Sequence, residues 1–157
     1  MAQPAVASPG FADRPSLTLT RRFRARPEKV WTAWTDPETL IGWFCTTKAK
    51  PGTMRADLDV RAGGRYRISF EMQSGEYSEV GGVYREVVPN EKLVFSWAWH
   101  STPERESLVT VSLKLDGDGT WLTLQHEQLF DQATCDSHAR GWGGSLDRLE
   151  ATIAGIS

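Results

Sequence analysis

The stretch HARGWGGSLDRLE, residues 138–150, sets three glycines around Trp142 near the end of the chain. The surrounding residues continue a mostly apolar stripe that advances by threes and fours: Cys135, His138, Ala139, Trp142, Leu146, Leu149, Ile153 and Ile156. This spacing predicts one amphipathic helix of about 20 residues, with its apolar stripe centred on Trp142.

The glycines of this stretch do not form a phosphate-binding motif. A P-loop needs GxxxxGK[ST] after a strand, and a dinucleotide fold needs GxGxxG in a parallel unit; GWGGSL meets neither requirement. On the helix, Gly141 and Gly143 lie about 100° to either side of Trp142 and leave space beside the indole, while Gly144 lies near the outer face. We expect close packing of the helix on a sheet there; a widened ligand cavity is the alternative.

The N-terminal part of the chain predicts a strand followed by two short helices. Residues 16–25 alternate between apolar and polar, with Arg21 on the apolar side, as in a half-buried strand. Helical spacing begins at Pro27. Asp36 precedes a second proline, so it ends this helix and caps a short one that runs through Trp43.

The middle of the chain has a period of two almost throughout, which predicts six strands. Residues 54–60 and 64–72 form a hairpin across RAGG, two strands turn at PNEK, and two more turn at DGDG. The predicted inward sets are Tyr66, Ile68, Phe70 and Met72, then Leu93, Phe95, Trp97 and Trp99, then Val109, Val111, Leu113 and Leu115 opposite Leu122, Leu124 and His126. This order predicts an α+β fold, in which the long helix lies across a curved antiparallel sheet of about seven strands.

Length and composition narrow the class of protein. A chain of 157 residues predicts one domain, assigned to residues 16–157 after a disordered tail over residues 1–15. The net charge of −2, with both signs interspersed, argues against nucleic acid and acidic membranes as partners. Cys45 and Cys135 lie far apart, so neither a disulfide nor a zinc site is expected. Without a signal-peptide pattern or a long apolar run, we expect a cytoplasmic protein without membrane insertion.

Several stretches together resemble a known family. They are TRRFRARPEKVWTAWTDPETLIGWF, RAGGRYRISF and GGVYREVVPNEKLVFSW, then LTLQHE followed by GWGGSLDRLE. Their order and separation are similar to those of START-like, helix-grip proteins of the SRPBCC superfamily, and more narrowly of the family named after the C-terminal domain of the activator of the heat-shock-protein-90 ATPase. The resemblance covers about residues 16–155 and implies the helix-grip fold. The stretch WFCTTKAKPG departs from the family pattern at the rim of the implied pocket, so the resemblance does not identify a ligand.

Aromatic residues dominate the candidate site. Six of them are expected to converge between the sheet and the long helix and to line a ligand cavity: Tyr66, Phe70, Phe95, Trp97, Trp99 and Trp142. His126 and His138 lie on otherwise apolar stripes, so each is either a hydrogen-bonded core histidine or an acid or base on the cavity wall. Arg21 either pairs with a buried carboxylate, binds an anionic ligand head group, or snorkels at the sheet edge.

Three functions fit this sequence. The first is binding of a small hydrophobic or aromatic ligand without chemical change. The resemblance implies two others: a cavity enzyme of the polyketide cyclase/dehydratase type that uses His126 or His138, and a co-chaperone of a heat-shock-protein-90-type ATPase. No cofactor or metal is expected, because the histidines show no HxxxH or HExxH spacing. Ser145 and Cys135 are within helical reach of His138, but the sequence shows no third orienting residue or strand-turn-helix elbow, so nucleophilic catalysis is not expected. The sequence leaves monomer and homodimer both open.

Overall fold

The computed structural model describes residues 14–44 and 48–155. Its elements follow in the order β1 (Leu17–Phe23), α1 (Pro27–Thr35), α2 (Pro37–Leu40), β2 (Arg55–Leu58), β3 (Arg65–Glu71), β4 (Tyr77–Val88), β5 (Lys92–Trp99), β6 (Ser107–Asp116), β7 (Gly119–Glu127) and α3 (Gln132–Gly155). The strands of the described residues form one antiparallel sheet in the order β1-β7-β6-β5-β4-β3-β2. The predicted α+β order, with two short helices after the first strand and a long helix at the end, is confirmed.

The register of the β6–β7 hairpin places His126 on the inner face of the sheet. His126 pairs with Val109, which is fully buried. Because strand residues alternate between faces, the inward set continues along β6 to Leu113, which is also buried. The prediction is wrong for Leu115, which is 49% exposed because it lies one residue from the end of β6, at the turn.

The pairing of β4 with the central strand β5 is irregular. The β4–β5 register shifts between Tyr84 and Glu86, which marks a β-bulge. Close by, a Cβ on Gly82 would lie 2.2 Å from the Ser96 carbonyl oxygen, so only glycine allows the two strands to approach this closely. Bulges increase the local twist of a strand. The sheet therefore curves around one face, and α3 lies on that face.

Two prolines and one aspartate define the short helices. Pro27 and Pro37 occupy first positions of α1 and α2, where a missing N–H removes no intrahelical bond. Asp36 caps α2 as predicted, because its carboxylate accepts a backbone N–H bond at 3.0 Å. Trp43, which follows α2, is fully buried, and its Nε1–H donates to the Ala33 carbonyl oxygen at 2.9 Å. This bond fixes α2 against α1.

Helix α3 presents the predicted apolar stripe to the sheet. Its buried members are Cys135, Trp142, Leu146, Leu149 and Ile153. Complete burial of a leucine, as at positions 146 and 149, contributes about 1.5–3 kcal/mol. No helix of residues 14–44 and 48–155 is both long and apolar enough to cross a membrane.

Some predictions concern residues that the structure does not describe. These are Cys45, Ile156 and residues 1–13 of the predicted tail. The last two residues of that tail, Arg14 and Pro15, are described. The Pro15 carbonyl oxygen accepts a hydrogen bond from the Leu129 N–H at 3.1 Å, which joins this segment to the connection between β7 and α3.

Candidate functional site

A first candidate space lies between α3 and the inner face of β3 to β5. We call it the inner cavity, and its lining residues are Trp34, Leu40, Phe44, Leu58, Tyr66, Ile68, Tyr84, Leu93, Phe95, Trp97 and Trp142. Its free volume is about 20 Å³, which holds one water molecule at most. Four of the predicted aromatic residues meet here, and side chains fill the space between them.

Tryptophan rings account for this small volume. Trp34 packs edge-on against Trp43 at 4.8 Å between ring centroids and lies tilted on Trp142 at 5.8 Å. Phe44 adds a ring 6.0 Å from Trp142. Aromatic pairs of this kind contribute about 0.5–1.5 kcal/mol each beyond the burial of their area. The contacts that close the inner cavity therefore also stabilise the fold.

His126 is held by a chain of hydrogen bonds beside the inner cavity. Trp142 Nε1–H donates to His126 Nδ1 at 3.0 Å, so Nδ1 is the acceptor and Nε2 carries the proton. Nε2 lies 2.7 Å from Ser107 Oγ, which in turn donates to the Trp97 carbonyl oxygen at 3.2 Å. Burial, followed by the neighbouring His138, lowers the pKa of His126 to about 3. His126 is a neutral imidazole with both nitrogens occupied.

The Ser107–His126 pair is not arranged for nucleophilic catalysis. A histidine that activates a serine must accept the hydroxyl proton. His126 instead donates to Ser107, because Trp142 occupies its other nitrogen. A pKa of about 3 also makes this imidazole a weak base near neutral pH. The acid or base role predicted for His126 finds no support in this geometry.

Two adjoining spaces open at the N-terminal half of α3, and both are lined by Trp97, Trp99, Ser137 and His138. We call the two together the His138 pocket, and each of them a lobe. The larger lobe has a volume of about 340 Å³ and is completed by Thr102, Arg105, Ser107, Leu129, Phe130, Ala133 and Thr134. The smaller lobe has a volume of about 180 Å³ and is completed by Phe44, Lys48, Gly141 and Trp142.

His138 borders both lobes and is fixed as a neutral ring. Its Nδ1 lies 2.8 Å from the Thr134 carbonyl oxygen, so Nδ1 carries the proton. Its Nε2 accepts from the indole N–H of Trp99 at 3.1 Å and of Trp97 at 3.3 Å. Burial lowers the pKa of His138, the bond to Thr134 opposes that shift, and the charge of Lys48 lowers it further. As in His126, both ring nitrogens have hydrogen-bond partners.

Gly141 lies beside open space, in the wall of the smaller lobe. A Cβ built on Gly141 meets no described atom within 4 Å outside its own stretch of helix, and the same holds at Gly143 and Gly144. The expectation that Gly141 and Gly143 permit close packing on the sheet is therefore wrong. At Gly141 the open space is the pocket itself, so the geometry supports the widened cavity.

Three predicted site residues line neither space: Arg21, Phe70 and His126. Arg21, on the inward side of β1, forms an ion pair with Asp147 of α3 at 2.6 Å and contacts the Gly143 carbonyl oxygen at 3.4 Å. It thus pairs with a carboxylate, although Asp147 is 71% exposed rather than buried. Phe70 is buried in β3 but lines neither the inner cavity nor the His138 pocket.

Sequence patterns did not indicate several pocket residues. Lys48 and Arg105 belong to connections, where no periodicity shows which way a side chain points. Phe130 lies just after β7 and is 41% exposed. Ser107 did carry a signal, because it has the same strand parity as Val109 and is therefore a polar residue at an inward position.

A larger depression of about 1150 Å³ lies on the outer face of β3 to β5. Its walls include Arg65 and Arg67 as well as Glu79 and Glu106. Ligand sites are mostly apolar, with a few placed polar groups. A wall with charges of both signs favours water, so the depression is a weaker candidate than the His138 pocket.

The curved antiparallel sheet, the C-terminal helix across it and the aromatic pocket between them define a helix-grip, START-like domain. The family model described as "Activator of Hsp90 ATPase homolog 1-like protein" matches residues 24–154. The chain belongs to this family, and the resemblance inferred from its motifs is confirmed.

Solved structures of similar proteins share this fold. Protein CV1439 from Chromobacterium violaceum is 27% identical, with 87% of this chain and 96% of that chain covered and a TM-score of 0.74. CalU16 from Micromonospora echinospora is 28% identical, with 88% and 75% covered and a TM-score of 0.67. DynU16, from the dynemicin biosynthetic locus, is 19% identical, with 88% and 47% covered and a TM-score of 0.70, and is similar in fold alone. No curated protein matches the chain.

Proposed function

We propose that the protein binds a small apolar or aromatic molecule in the His138 pocket and releases it unchanged. The observation that carries this proposal is an open aromatic pocket whose two neighbouring imidazoles are both fully hydrogen-bonded within the protein. The sequence led us to expect such a ligand between the sheet and the helix. The proposal moves it from the inner cavity to the N-terminal half of α3.

The size and lining of the pocket support binding. Ligand sites commonly measure about 300–1,000 Å³ and are lined mainly by apolar and aromatic side chains with a few polar groups. The larger lobe alone reaches that range, at about 340 Å³. Trp97, Trp99 and Phe130 provide aromatic walls, and Thr134 and Ser137 provide polar groups.

The hydrogen bonds support binding rather than catalysis. A general base needs a nitrogen lone pair within reach of the substrate proton. The lone pair of His138 Nε2 already accepts from two indoles, and its Nδ1 proton is held by Thr134. His126 reaches the pocket only through Ser107. A cyclase or dehydratase reaction would require these bonds to break first.

A fluorescence titration with N-phenylnaphthylamine, a neutral probe, tests this proposal. Gly141→Leu places a bulky side chain in the wall of the smaller lobe, and we expect it to weaken probe binding at least about ten-fold. Gly144→Leu is the matched control, because Gly144 is also helical and beside open space but does not line the pocket. The proposal fails if the wild-type protein does not bind the probe. If both variants bind it as the wild type does, the smaller lobe is not the part of the pocket that holds it.

The family description also motivates a test of the chaperone role. Its wording refers to activation of an Hsp90 ATPase. An ATPase assay with the chaperone of the same host, with and without this protein, measures that activity directly. An unchanged rate would remove the co-chaperone hypothesis and leave ligand binding as the function to pursue.

The predicted cytoplasmic location is checked by fractionating the host cell.

A further inference from the structure

The charged residues of the His138 pocket are all of one sign. The larger lobe includes Arg105 and the smaller lobe includes Lys48, and no aspartate or glutamate of the described residues lines either lobe. The whole chain has 20 acidic and 18 basic residues, so the pocket differs from the average of the protein. A pocket with walls of low polarity and one sign of charge attracts ligands of the opposite sign.

Acidic groups near the pocket compensate these cations only in part. Glu104 lies 3.9 Å from Arg105 and is itself 70% exposed. Asp131 accepts the Thr134 N–H at 2.8 Å; hydrogen bonds from Thr134, and to a smaller extent the charge of Arg105, lower its pKa. Lys48 forms no ion pair with any residue in the described ranges.

The hydrogen-bond donors of the pocket also favour a ligand that supplies an acceptor. The N–H groups of Trp97 and Trp99 converge on one lone pair of His138 Nε2. One lone pair satisfies one strong hydrogen bond, so one of the two indole donors remains weakly satisfied. Trp99 is the less buried of the two. A ligand oxygen that takes over the Trp99 N–H leaves His138 Nε2 with the Trp97 N–H, which lies at 3.3 Å.

From these observations we infer that the ligand is an apolar anion, with a carboxylate or sulfonate group on an aromatic or aliphatic body. The body lies against the aromatic walls, and the head group lies toward Lys48 and the Trp99 N–H. Arg105, whose guanidinium carbon is 3.9 Å from the centre of the Phe130 ring, adds positive potential from the other lobe. The inference rests on the proposed function and adds the charge class of the ligand.

A matched pair of probes tests the charge separately from the apolar body. Anilinonaphthalene sulfonate and N-phenylnaphthylamine have similar aromatic bodies, but only the first is an anion. Both are titrated into the wild type, the double variant Lys48→Gln/Arg105→Gln, and the control Lys50→Gln. Lys50 is an exposed lysine close to Lys48 in sequence, and it does not line the pocket.

We expect the anionic probe to bind the wild type more tightly than the neutral probe. In the double variant, the dissociation constant of the anionic probe should rise about ten-fold, and that of the neutral probe should stay within about two-fold of the wild-type value. The control variant should bind both probes within about two-fold of the wild type. The inferred negative charge of the ligand is overturned if the wild type binds the neutral probe at least as tightly as the anionic one. It is also overturned if the double variant changes the affinities for both probes equally, or changes neither. Blockage of the neutral probe by Gly141→Leu would still support the proposed function in that case. Absence of binding by both probes would overturn both proposals.

Discussion

The inner cavity and the His138 pocket share Phe44, Trp97 and Trp142, yet one is filled and the other is open. Around the inner cavity, large rings enter from the short helices, the sheet and α3 together. Around the pocket, α3 contributes small residues, Ala133, Ser137 and Gly141, opposite the tryptophans of β5. The comparison shows that an aromatic lining does not by itself make a cavity; small residues on the facing helix keep the space open.

The histidines of the two regions also differ, in burial and in hydrogen bonding. His126, beside the inner cavity, is fully buried and both of its ring nitrogens have partners. His138 is only partly buried and receives two indole donors at a single nitrogen. The closed region therefore has a fixed hydrogen-bond pattern, whereas the open region has a donor that a ligand can use.

The largest expected difference comes from removing one tryptophan from each region. Trp34 is 4% exposed in the inner cavity, so Trp34→Ala should lower the free energy of unfolding by about 3–5 kcal/mol. Trp99 is partly exposed in the pocket, so Trp99→Ala should cost only about 1–2 kcal/mol. Urea unfolding of both variants measures the difference, and equal losses would contradict the contrast between the closed and open regions.

A second pair of variants probes the indole N–H groups while keeping an aromatic ring. Trp142→Phe leaves His126 Nδ1 buried without its donor, which should cost up to about 3 kcal/mol. Trp34→Phe should cost less, because Trp34 Nε1 has no hydrogen-bond partner among the described residues. Urea unfolding is again the measurement. A Trp34→Phe loss as large as that of Trp142→Phe would show that the Trp34 N–H has a stabilising partner.

The pH dependence of stability tests the neutral state of His126. Its folded pKa of about 3 lies below the ordinary value of 6.5, so on acidification the unfolded chain takes up a proton that the folded chain does not. The stabilising effect is complete above the ordinary pKa and is lost as the pH falls toward 3. We expect the free energy of unfolding to drop by about 2 kcal/mol between about pH 8 and pH 5.

The control for this pH effect is His126→Asn. This variant is expected to be less stable at all pH values. Its free energy of unfolding should change much less between about pH 8 and pH 5, because the titrating imidazole is gone. His138, whose pKa is also lowered, acts in the same direction and accounts for a remaining slope. An unchanged slope in His126→Asn would show that other groups cause the pH dependence.

The smallest expected effect is at Gly141. An alanine Cβ there meets no described atom within 4 Å, and alanine favours a helix over glycine by about 0.5–1 kcal/mol. Gly141→Ala should therefore raise the melting temperature slightly and leave the pocket open to N-phenylnaphthylamine. A destabilised Gly141→Ala protein would mean that the glycine serves close packing after all.

Periodicity in the sequence was enough to predict the fold. The alternation along β5 and β7 and the stripe of α3 follow directly from how strands and helices expose one face to a core, so the predicted inward positions of Trp97, His126 and Trp142 are confirmed. The cap at Asp36 is also predictable, because an aspartate before a proline suits the start of a helix through local interactions alone.

Periodicity does not measure free volume, and this is why the location of the open space could not be predicted. Trp34 and Phe44, which close the inner cavity, come from α1 and from the turn after α2, and the sequence does not determine how these segments are oriented on the sheet. The tautomers of the two histidines depend on indole groups that only the tertiary structure brings near. Lys48 and Arg105 lie in irregular connections, so their place in the pocket had no local signal.

The most direct test of the account is which indole N–H signals respond when N-phenylnaphthylamine binds. The chain has seven tryptophans, and proton–nitrogen correlation spectra with single Trp→Phe variants assign each indole. We expect the signals of Trp97 and Trp99 to shift on titration while those of Trp34 and Trp43 stay in place. Shifts of Trp34 and Trp43 with Trp99 unchanged would place the ligand in the inner cavity and contradict the account.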